Sequence, residues 1–264
     1  MADTHRPGVL VTRPAGQAAA LGNGLCAAGF TPLYLPTLAI EATDATVAVA
    51  ALRAALPCAV ALFISANAVQ HALPVIAAAG GLPAGCRVAA VGPASARALR
   101  AAGFADVLMP EARFDSEGLL ALPELNQVTD RRVVIFRGEG GRTLLADTLA
   151  ARGADLRAVI CYRRIAAGDA GDAGQLAAWL ARNAIAALTA TSRASLDGLQ
   201  TLTGPAATQL KALPLAVLSA ALADHARQAG FQGPILSAGE ASDAGLVAAV
   251  RALLGSPTAG KIRS

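Results

Sequence analysis

Two stretches of this chain recur at a fixed spacing, and this internal duplication restricts the fold more than any other feature. Residues 100–104 recur as 227–231, and residues 116–120 recur as 243–247, each at an offset of 127 (227 − 100). Earlier in the chain the offset is 124 (153 − 29), which places Gly29 on Gly153 and residues 11–13 on 135–137. An offset that changes once indicates duplication with a short loop insertion. The pattern predicts two similar lobes with one cleft between them.

Short apolar runs alternate with helical patterns along both copies. The runs lie at residues 9–11, 60–64, 87–91, 107–109, 133–136, 187–190, 215–218 and 235–236. Glycine follows several of the helical stretches, where it suits a left-handed C-cap. Strands that are apolar on both faces, each followed by a helix, predict an α/β fold of parallel sheets flanked by helices.

Two extended segments interrupt this alternation, at residues 32–38 and 158–164. They could be ordinary second strands of their lobes, or connectors that pair with each other between the lobes. Residues 168–174 are small and glycine-rich, which predicts a loop. Residues 255–264 are expected to form a frayed tail.

Composition excludes several classes of protein. The apolar stretch at residues 54–64 is too short to cross a bilayer, and the first residues lack the apolar core of an export signal, so we expect a cytoplasmic protein that does not bind membranes. The cysteines are widely spaced along the chain, which argues against a metal site and favours small buried thiols: Cys26, Cys58, Cys86 and Cys161. A net charge of +4 without a basic run, and only 3% aromatic residues, argue against nucleic-acid binding and favour a polyanionic small molecule.

Ligands of open parallel sheets bind beyond the carboxyl ends of the strands, so the polar residues that follow each strand are the candidate site. The glycine-rich segment 137–142 is the most pointed of them, because backbone N–H groups and two arginines can together hold an anion. The alternative is a tight turn with solvated arginines. Four hydroxyl residues are either ligand donors or helix N-caps: Ser65, Ser95, Thr191 and Ser192. Arg13 has the same choice between a ligand and a surface ion pair.

No nucleophile is evident. The chain has no GxSxG turn, and surface or capping roles are expected for the histidines His5, His71 and His225. Glu117 and Glu139 could act as acids or bases, but their spacing pairs no carboxylates.

Taken together, five motifs resemble the uroporphyrinogen-III synthase family. They lie at residues 10–14, 63–69, 88–93, 115–120 and 137–142, within a resemblance that runs from about residue 7 to residue 254. Tyr162 falls where that family carries a tyrosine that faces its cleft.

The resemblance implies two α/β lobes joined by a two-stranded β ladder. Lobe one would comprise residues 1–34 and 165–264, lobe two residues 39–158, and the connecting strands residues 35–38 and 159–164. It also implies cyclisation of hydroxymethylbilane to uroporphyrinogen III with loss of water and inversion of ring D, without a metal or organic cofactor. We expect a monomer, with hydroxymethylbilane synthase as a transient partner.

For that reaction Tyr162 is the candidate catalytic residue, assisting departure of the hydroxyl group through a hydrogen bond. The candidate substrate-binding residues are Arg13, Ser65, Asn67, Gly92, Ser95, Arg137, Gly138, Gly140, Gly141, Arg142, Thr191 and Ser192.

The second copy departs from the family pattern. A Val-Gly-x-x-Thr-like segment is expected in both copies, but Ser95 replaces the threonine in the first and residues 218–222 replace the whole segment in the second. Leu222 therefore lacks a hydroxyl group, which argues against symmetric use of the two lobes. The alternative function is a non-catalytic two-lobed binding protein for a polyanionic ligand or tetrapyrrole. A nucleotide-sugar transferase would need an acidic metal site that the sequence does not offer.

Overall fold

A computed structural model describes residues 6–140 and 143–255 of the chain. Its strands are β1 Gly8–Val11, β2 Thr31–Tyr34, β3 Leu38–Ala42, β4 Val60–Phe63, β5 Arg87–Ala90, β6 Val107–Leu108, β7 Arg132–Gly138, β8 Asp155–Ala166, β9 Ile185–Ala190, β10 Leu215–Val217 and β11 Ile235–Ser237. The predicted residues Gly141, Arg142 and His5, and the tail from residue 256, lie outside the described residues.

Helices follow most of these strands. They are α1 Ala19–Ala27, α2 Ala45–Ala55, α3 Ala66–Ala79, α4 Pro93–Ala101, α5 Ser116–Leu120, α6 Leu144–Ala151, α7 Ala170–Ala181, α8 Arg193–Thr203, α9 Ala207–Lys211, α10 Ala220–Gln228 and α11 Asp243–Leu254. Short 3-10 turns lie at Ala15–Gln17, Pro123–Leu125 and Gly204–Ala206. No helix of the described ranges is long and apolar enough to cross a membrane.

The chain divides into two compact units, one formed by the described residues up to Ala39 and from Ile165 onward, the other by Ile40–Arg164. The first unit holds a sheet in the order β11-β10-β9-β1-β2. Each neighbouring pair of strands in it is parallel. The sheet of the second unit has the order β3-β8-β7-β4-β5-β6, and its strands from β8 to β6 are likewise parallel. The predicted class of parallel α/β sheets flanked by helices is confirmed.

Helices cover both faces of the first unit's sheet. Val9 and Val11 of β1 pack with α1 and α11, whereas Leu10, between them, packs on the other face with α7, α8 and α10. Successive side chains of a strand point to opposite faces, so a strand buried on both sides must be apolar throughout.

The second unit repeats this packing. Phe63 and Phe136 stack at 4.7 Å between ring centroids on the face covered by α2, α3 and α4. Leu62 and Ile135 pack on the opposite face with α5 and α6. Each such fully buried side chain contributes about 1.5–3 kcal/mol to the free energy of folding.

The two copies of the sequence are visible as matching local structures. A Cβ atom on Gly118 would lie 1.8 Å from the backbone oxygen of Arg113, and one on Gly245 would lie 2.1 Å from that of Glu240. Both glycines therefore occur for the same steric reason, 127 residues apart (245 − 118). Each sheet nevertheless combines the opening strands of one copy with the later strands of the other. In the first unit β1 pairs with β9, and in the second unit β7 pairs with β4.

The interrupting segments contain ordinary second strands: β2 pairs with β1 in parallel, and β8 pairs with β7 in parallel from Asp155 to Tyr162. Residues 35–37 lie outside the strands, and the next strand, β3, begins at Leu38 and neighbours β8 at the edge of its sheet. The two-stranded ladder between lobes stays a prediction.

Two local predictions were wrong. The predicted loop at 168–174 is helical from Ala170, because the Asp169 side chain accepts from the N–H groups of Gly171 and Asp172 while Asp172 accepts from the N–H of Asp169. Such a capping box starts a helix even in a glycine-rich segment. The thiols are all free but not all buried, since Cys26 is exposed on α1.

Candidate functional site

The candidate residues of the second unit meet at the carboxyl edge of its parallel sheet. Gly138, the last residue of β7, lies beside Tyr162 of β8, and Phe63 of β4 lies beside Phe136. Ser65 lies two residues after the end of β4, and β4 is the neighbour of β7 in the sheet. The carboxyl ends of parallel strands face the region where such sheets bind ligands.

Tyr162 is the centre of this cluster. Its side chain is among the largest fully buried ones, with 2% of the residue exposed. The phenolic oxygen lies 3.1 Å from Ser65 Oγ and accepts a hydrogen bond of 3.4 Å from Arg164 Nη2. The imidazole of His71 stacks on the phenol ring at 5.6 Å between centroids, with 29° between the ring planes.

Gly138 leaves room for the Tyr162 ring. A Cβ atom at this position would lie 2.6 Å from Cε2 and 2.7 Å from Cζ of the tyrosine. Carbon atoms in contact are normally about 3.5–4.0 Å apart. A glycine is therefore needed at position 138 for the Tyr162 ring to occupy its observed position.

Ser65 has the capping role that the sequence presented as one of its two alternatives, and its role as a ligand donor stays a prediction. Its Oγ accepts from the N–H of Ala68 at 3.0 Å and so caps α3. A hydroxyl group that accepts one hydrogen bond still has a hydrogen to donate, and the phenolic oxygen of Tyr162 lies within reach. Asn67 is half-buried in the first turn of the same helix.

The turn in the glycine-rich segment at the end of β7 is stabilised by hydrogen bonds from a residue of the same segment. Arg137 donates through Nε to the carbonyl oxygen of Gly138 at 3.2 Å and through Nη2 to that of Gly140. Gly140 has a φ of +67°, a left-handed conformation that favours glycine. The N–H of Glu139 is bonded to the carbonyl oxygen of Tyr162 at 2.9 Å. Arg137 is thus placed as a turn-stabilising residue, which corresponds to the tight-turn alternative for the part of the segment that is described.

The two copies of the sequence differ at a pair of corresponding helices, α4 after β5 and α10 after β10. Gly92 caps α4 without a side-chain acceptor, and Ser95 in the first turn is only 3% exposed. In the other copy Ser219 caps α10 by accepting from the N–H of Leu222, whose side chain is buried. The first turn of α10 is therefore bonded within the protein, whereas α4 has no such cap.

The candidates of the first unit have partners of their own. Arg13 forms an ion pair with Asp243 at 2.6 Å, which corresponds to its ion-pair alternative. Ser192 caps α8 through a capping box with Ser195. Thr191 lies just beyond β9 and is half-buried.

Asp115 caps α5 at the end of the segment that follows β6. Its carboxylate accepts from the Arg113 side chain and from the N–H of Gly118, and these bonds hold the pKa of Asp115 below its usual value. The neighbouring Glu117 is paired with Arg113 at 3.1 Å. Both carboxylates therefore form ion pairs with Arg113, and they do not form an acid–base pair with each other.

Sequence reasoning missed two members of the cluster. His71 was assigned a surface or capping role, which is wrong, because its ring packs on Tyr162. The spacing of Asn67 and His71 (i, i+4) on a helix that starts at Ser65 was the available signal, since such residues share one face. Arg164 follows Tyr162 by two residues in the same strand and so shares its face. Among the described residues no group of three potential ligands could hold a metal ion.

These features define a class of protein: parallel α/β units whose polar side chains collect at the carboxyl ends of the strands. The family model described as uroporphyrinogen-III synthase HemD matches residues 19–248, and the chain belongs to this family.

Curated relatives match over part of their length. The chain is 38% identical to the uroporphyrinogen-III synthase of Salmonella typhimurium over 152 residues, which cover 57% of this chain and 61% of that protein. It is 38% identical to the Escherichia coli uroporphyrinogen-III synthase over 145 residues, 54% of this chain and 58% of that protein. The chain thus spans about three fifths of these relatives.

Solved structures support the fold. A mutant uroporphyrinogen III synthase from Thermus thermophilus has a TM-score of 0.61 at 20% identity, covering 94% of this chain and 98% of the other. The uroporphyrinogen-III synthetase of Helicobacter pylori has the same TM-score at 13% identity, covering 94% and 99%. At these identities the likeness establishes the fold alone.

Proposed function

We propose that this protein cyclises hydroxymethylbilane to uroporphyrinogen III, with loss of water and inversion of ring D. The observation that carries the proposal is the Tyr162 phenol, held at the carboxyl edge of a family-typical sheet by contacts with Ser65, His71 and Arg164. The name of the family and of its relatives supports the choice of reaction.

Loss of the substrate hydroxyl group needs a proton donor. When the C–O bond of the hydroxymethyl group breaks, the oxygen takes the bonding electrons and a proton from the solvent and leaves as water, while the pyrrole that remains becomes an azafulvene-like cation. The proton is returned when the pyrrole that attacks this cation loses one on ring closure. The phenolic oxygen accepts from Arg164, and with Ser65 as the donor of the bond between the two hydroxyl groups, the O–H of Tyr162 is left to donate. Tyr162 would therefore stabilise the departing oxygen by hydrogen bonding.

The greater part of the work is positioning. The linear substrate carries eight carboxylates and can cyclise unaided to the wrong isomer, so its ends must be held in one geometry. Hydroxyl, guanidinium and N–H donors at strand ends suit carboxylates. The proposed substrate-binding residues are Arg13, Ser65, Asn67, Gly92, Ser95, Arg137, Gly138, Gly140, Gly141, Arg142, Thr191 and Ser192.

The proposed binding residues differ in their surroundings. Ser95 is buried beyond β5 in a helix start without a side-chain cap, so its first turn has donors to offer. Arg13 would have to exchange its ion pair with Asp243 for a substrate carboxylate. Arg137 would contribute through the shape of its turn.

The reaction as proposed needs no cofactor. We further propose a monomeric cytoplasmic enzyme that receives its unstable substrate from hydroxymethylbilane synthase by transient contact. The Sγ atoms of Cys58 and Cys86 lie 3.4 Å apart in a thiol–thiol hydrogen bond.

The test is an isomer assay on the purified chain. Freshly prepared hydroxymethylbilane is supplied, the products are oxidised to uroporphyrins, and isomers I and III are separated by chromatography beside an enzyme-free control. We expect isomer III to predominate. Isomer I at the level of the control would refute the enzymatic function and leave the chain as a binding protein.

A further inference from the structure

His71 contacts the candidate catalytic residue and has no part in the proposed chemistry. Its imidazole stacks on the Tyr162 ring at 5.6 Å, and the described structure gives it no ion pair. We propose that His71 is a positioning residue that fixes the plane of the Tyr162 phenol. This inference deepens the proposed function and rests on it.

Two rigid elements contact the phenol ring. One is the backbone of β7, because Gly138 approaches so closely that a single added carbon would lie 2.6 Å from the ring. The other is α3, which carries His71 in its second turn. The ring is therefore contacted both by the backbone of a strand and by a helix packed on the same sheet.

The helix that carries His71 is itself firmly placed. Ser65 caps its first turn, and Ala68, Val69, Ala72 and further residues of α3 are buried against the sheet. His71 precedes Ala72 and lies four residues after Asn67, at the boundary between buried and exposed faces. From that position the half-buried imidazole stacks its flat face on the phenol ring.

The hydroxyl group depends on this packing. Ser65 and Arg164 contact the phenolic oxygen at 3.1 and 3.4 Å, and the second distance is long for a hydrogen bond. The phenolic oxygen lies on the Cβ–Cγ axis, so it moves only when the ring tilts about the Cα–Cβ bond. Apart from His71, the Arg164 guanidinium lies over the ring at 5.5 Å from its centroid and the β7 backbone lies beside it. Stacking against His71 opposes that tilt, which is the geometric precision that catalysis by a hydrogen-bond donor requires.

The proposal predicts that the shape of the ring at position 71 matters and its basicity does not. His71→Phe keeps an aromatic face on α3, whereas His71→Ala removes it. An aromatic pair of this kind is worth about 3- to 10-fold in an equilibrium. We therefore expect His71→Ala to lower kcat by about 3- to 10-fold with KM unchanged, and His71→Phe to restore kcat.

A measurement that is independent of activity reports how tightly the Tyr162 ring is packed. The chain has two tyrosines, so in a Tyr34→Phe background all tyrosine ring signals in an NMR spectrum come from Tyr162. We expect the rate of ring flipping to rise in His71→Ala and to stay close to that of the parent in His71→Phe. An unchanged rate in His71→Ala would overturn the proposal that His71 holds the ring. Circular dichroism shows whether each variant is folded.

The kinetic arm shows whether His71 acts through the tyrosine. In a Tyr162→Phe background, His71→Ala should cause no further loss of kcat, because the hydroxyl group it positions is gone. An equal further loss would overturn the positioning role. So would faster ring flipping without a fall in kcat, or a His71→Phe variant that loses kcat while the ring stays fixed. If the parent protein makes no isomer III, the proposed function fails, while the NMR arm still decides whether His71 holds the ring.

Discussion

Replacing Gly138 by alanine tests whether the position of the Tyr162 ring controls turnover. The added carbon would lie 2.6 Å from Tyr162 Cε2, where about 3.5 Å is the normal closest approach, so the ring must move by about 0.9 Å. A misplacement of about 1 Å at a reacting centre costs up to ~100-fold in rate. We expect kcat to fall by about 10- to 100-fold, or about 1.4–2.7 kcal/mol of transition-state stabilisation.

The variant should stay folded. Overpacking of this kind costs about 1–3 kcal/mol, against a typical total stability of about 5–15 kcal/mol. Gly85→Ala is the matched control, because a Cβ atom at Gly85 meets no heavy atom within 4 Å and the residue's φ lies outside the left-handed region. Its kcat and melting temperature should match those of the parent.

The assay follows isomer III formation from hydroxymethylbilane, with thermal unfolding recorded for each variant. A Gly138→Ala protein that is folded and has the kcat of the parent would refute the reasoning, because the ring would then tolerate displacement. A variant that unfolds at the assay temperature would show that the contact serves stability more than the estimate above allows, which contradicts the magnitude given.

Two further predictions concern titrating groups. Asp155 accepts from Arg132 Nε at 2.7 Å, which lowers the pKa of the carboxyl group in the folded protein, so its contribution to stability is present above the unfolded pKa of about 4 and is lost as the pH falls below it. Asp155→Asn should therefore flatten the acid limb of a plot of melting temperature against pH, and parallel limbs would contradict this. Burial raises the pKa of the Cys161 thiol to about 12, so alkylation at about pH 8 should modify Cys26 far sooner than Cys161, as peptide mass spectrometry would show; equal rates would count against it.

Local rules made much of the fold predictable. Gly118 and Gly245 recur because each sits where a side chain would strike a backbone oxygen, and such constraints survive in the sequence as a repeat. The strands were recognisable because burial on both faces requires continuous apolar runs. The loop prediction for residues 168–174 was wrong because it followed the small residues of the whole segment. The helix start depends instead on the capping box formed by two residues, Asp169 and Asp172.

The candidate site was less accessible from the sequence. Ser65 caps α3 as one of its two alternatives predicts, but its contact with Tyr162 joins residues 97 positions apart and has no local signal in the sequence. The stacking of His71 on Tyr162 joins residues 91 positions apart (162 − 71), and helical periodicity gives only the face on which His71 lies. Which strand end that face meets is decided by the order β8-β7-β4, a property of the whole sheet.

The role of Tyr162 is tested by the isomer ratio that the parent protein and Tyr162→Phe produce, assayed side by side at equal concentration. We predict isomer III in excess from the parent protein. From the variant we predict slower turnover and a rising share of isomer I, because unaided cyclisation then competes. Identical rates and isomer ratios from the two proteins would contradict the role given to Tyr162.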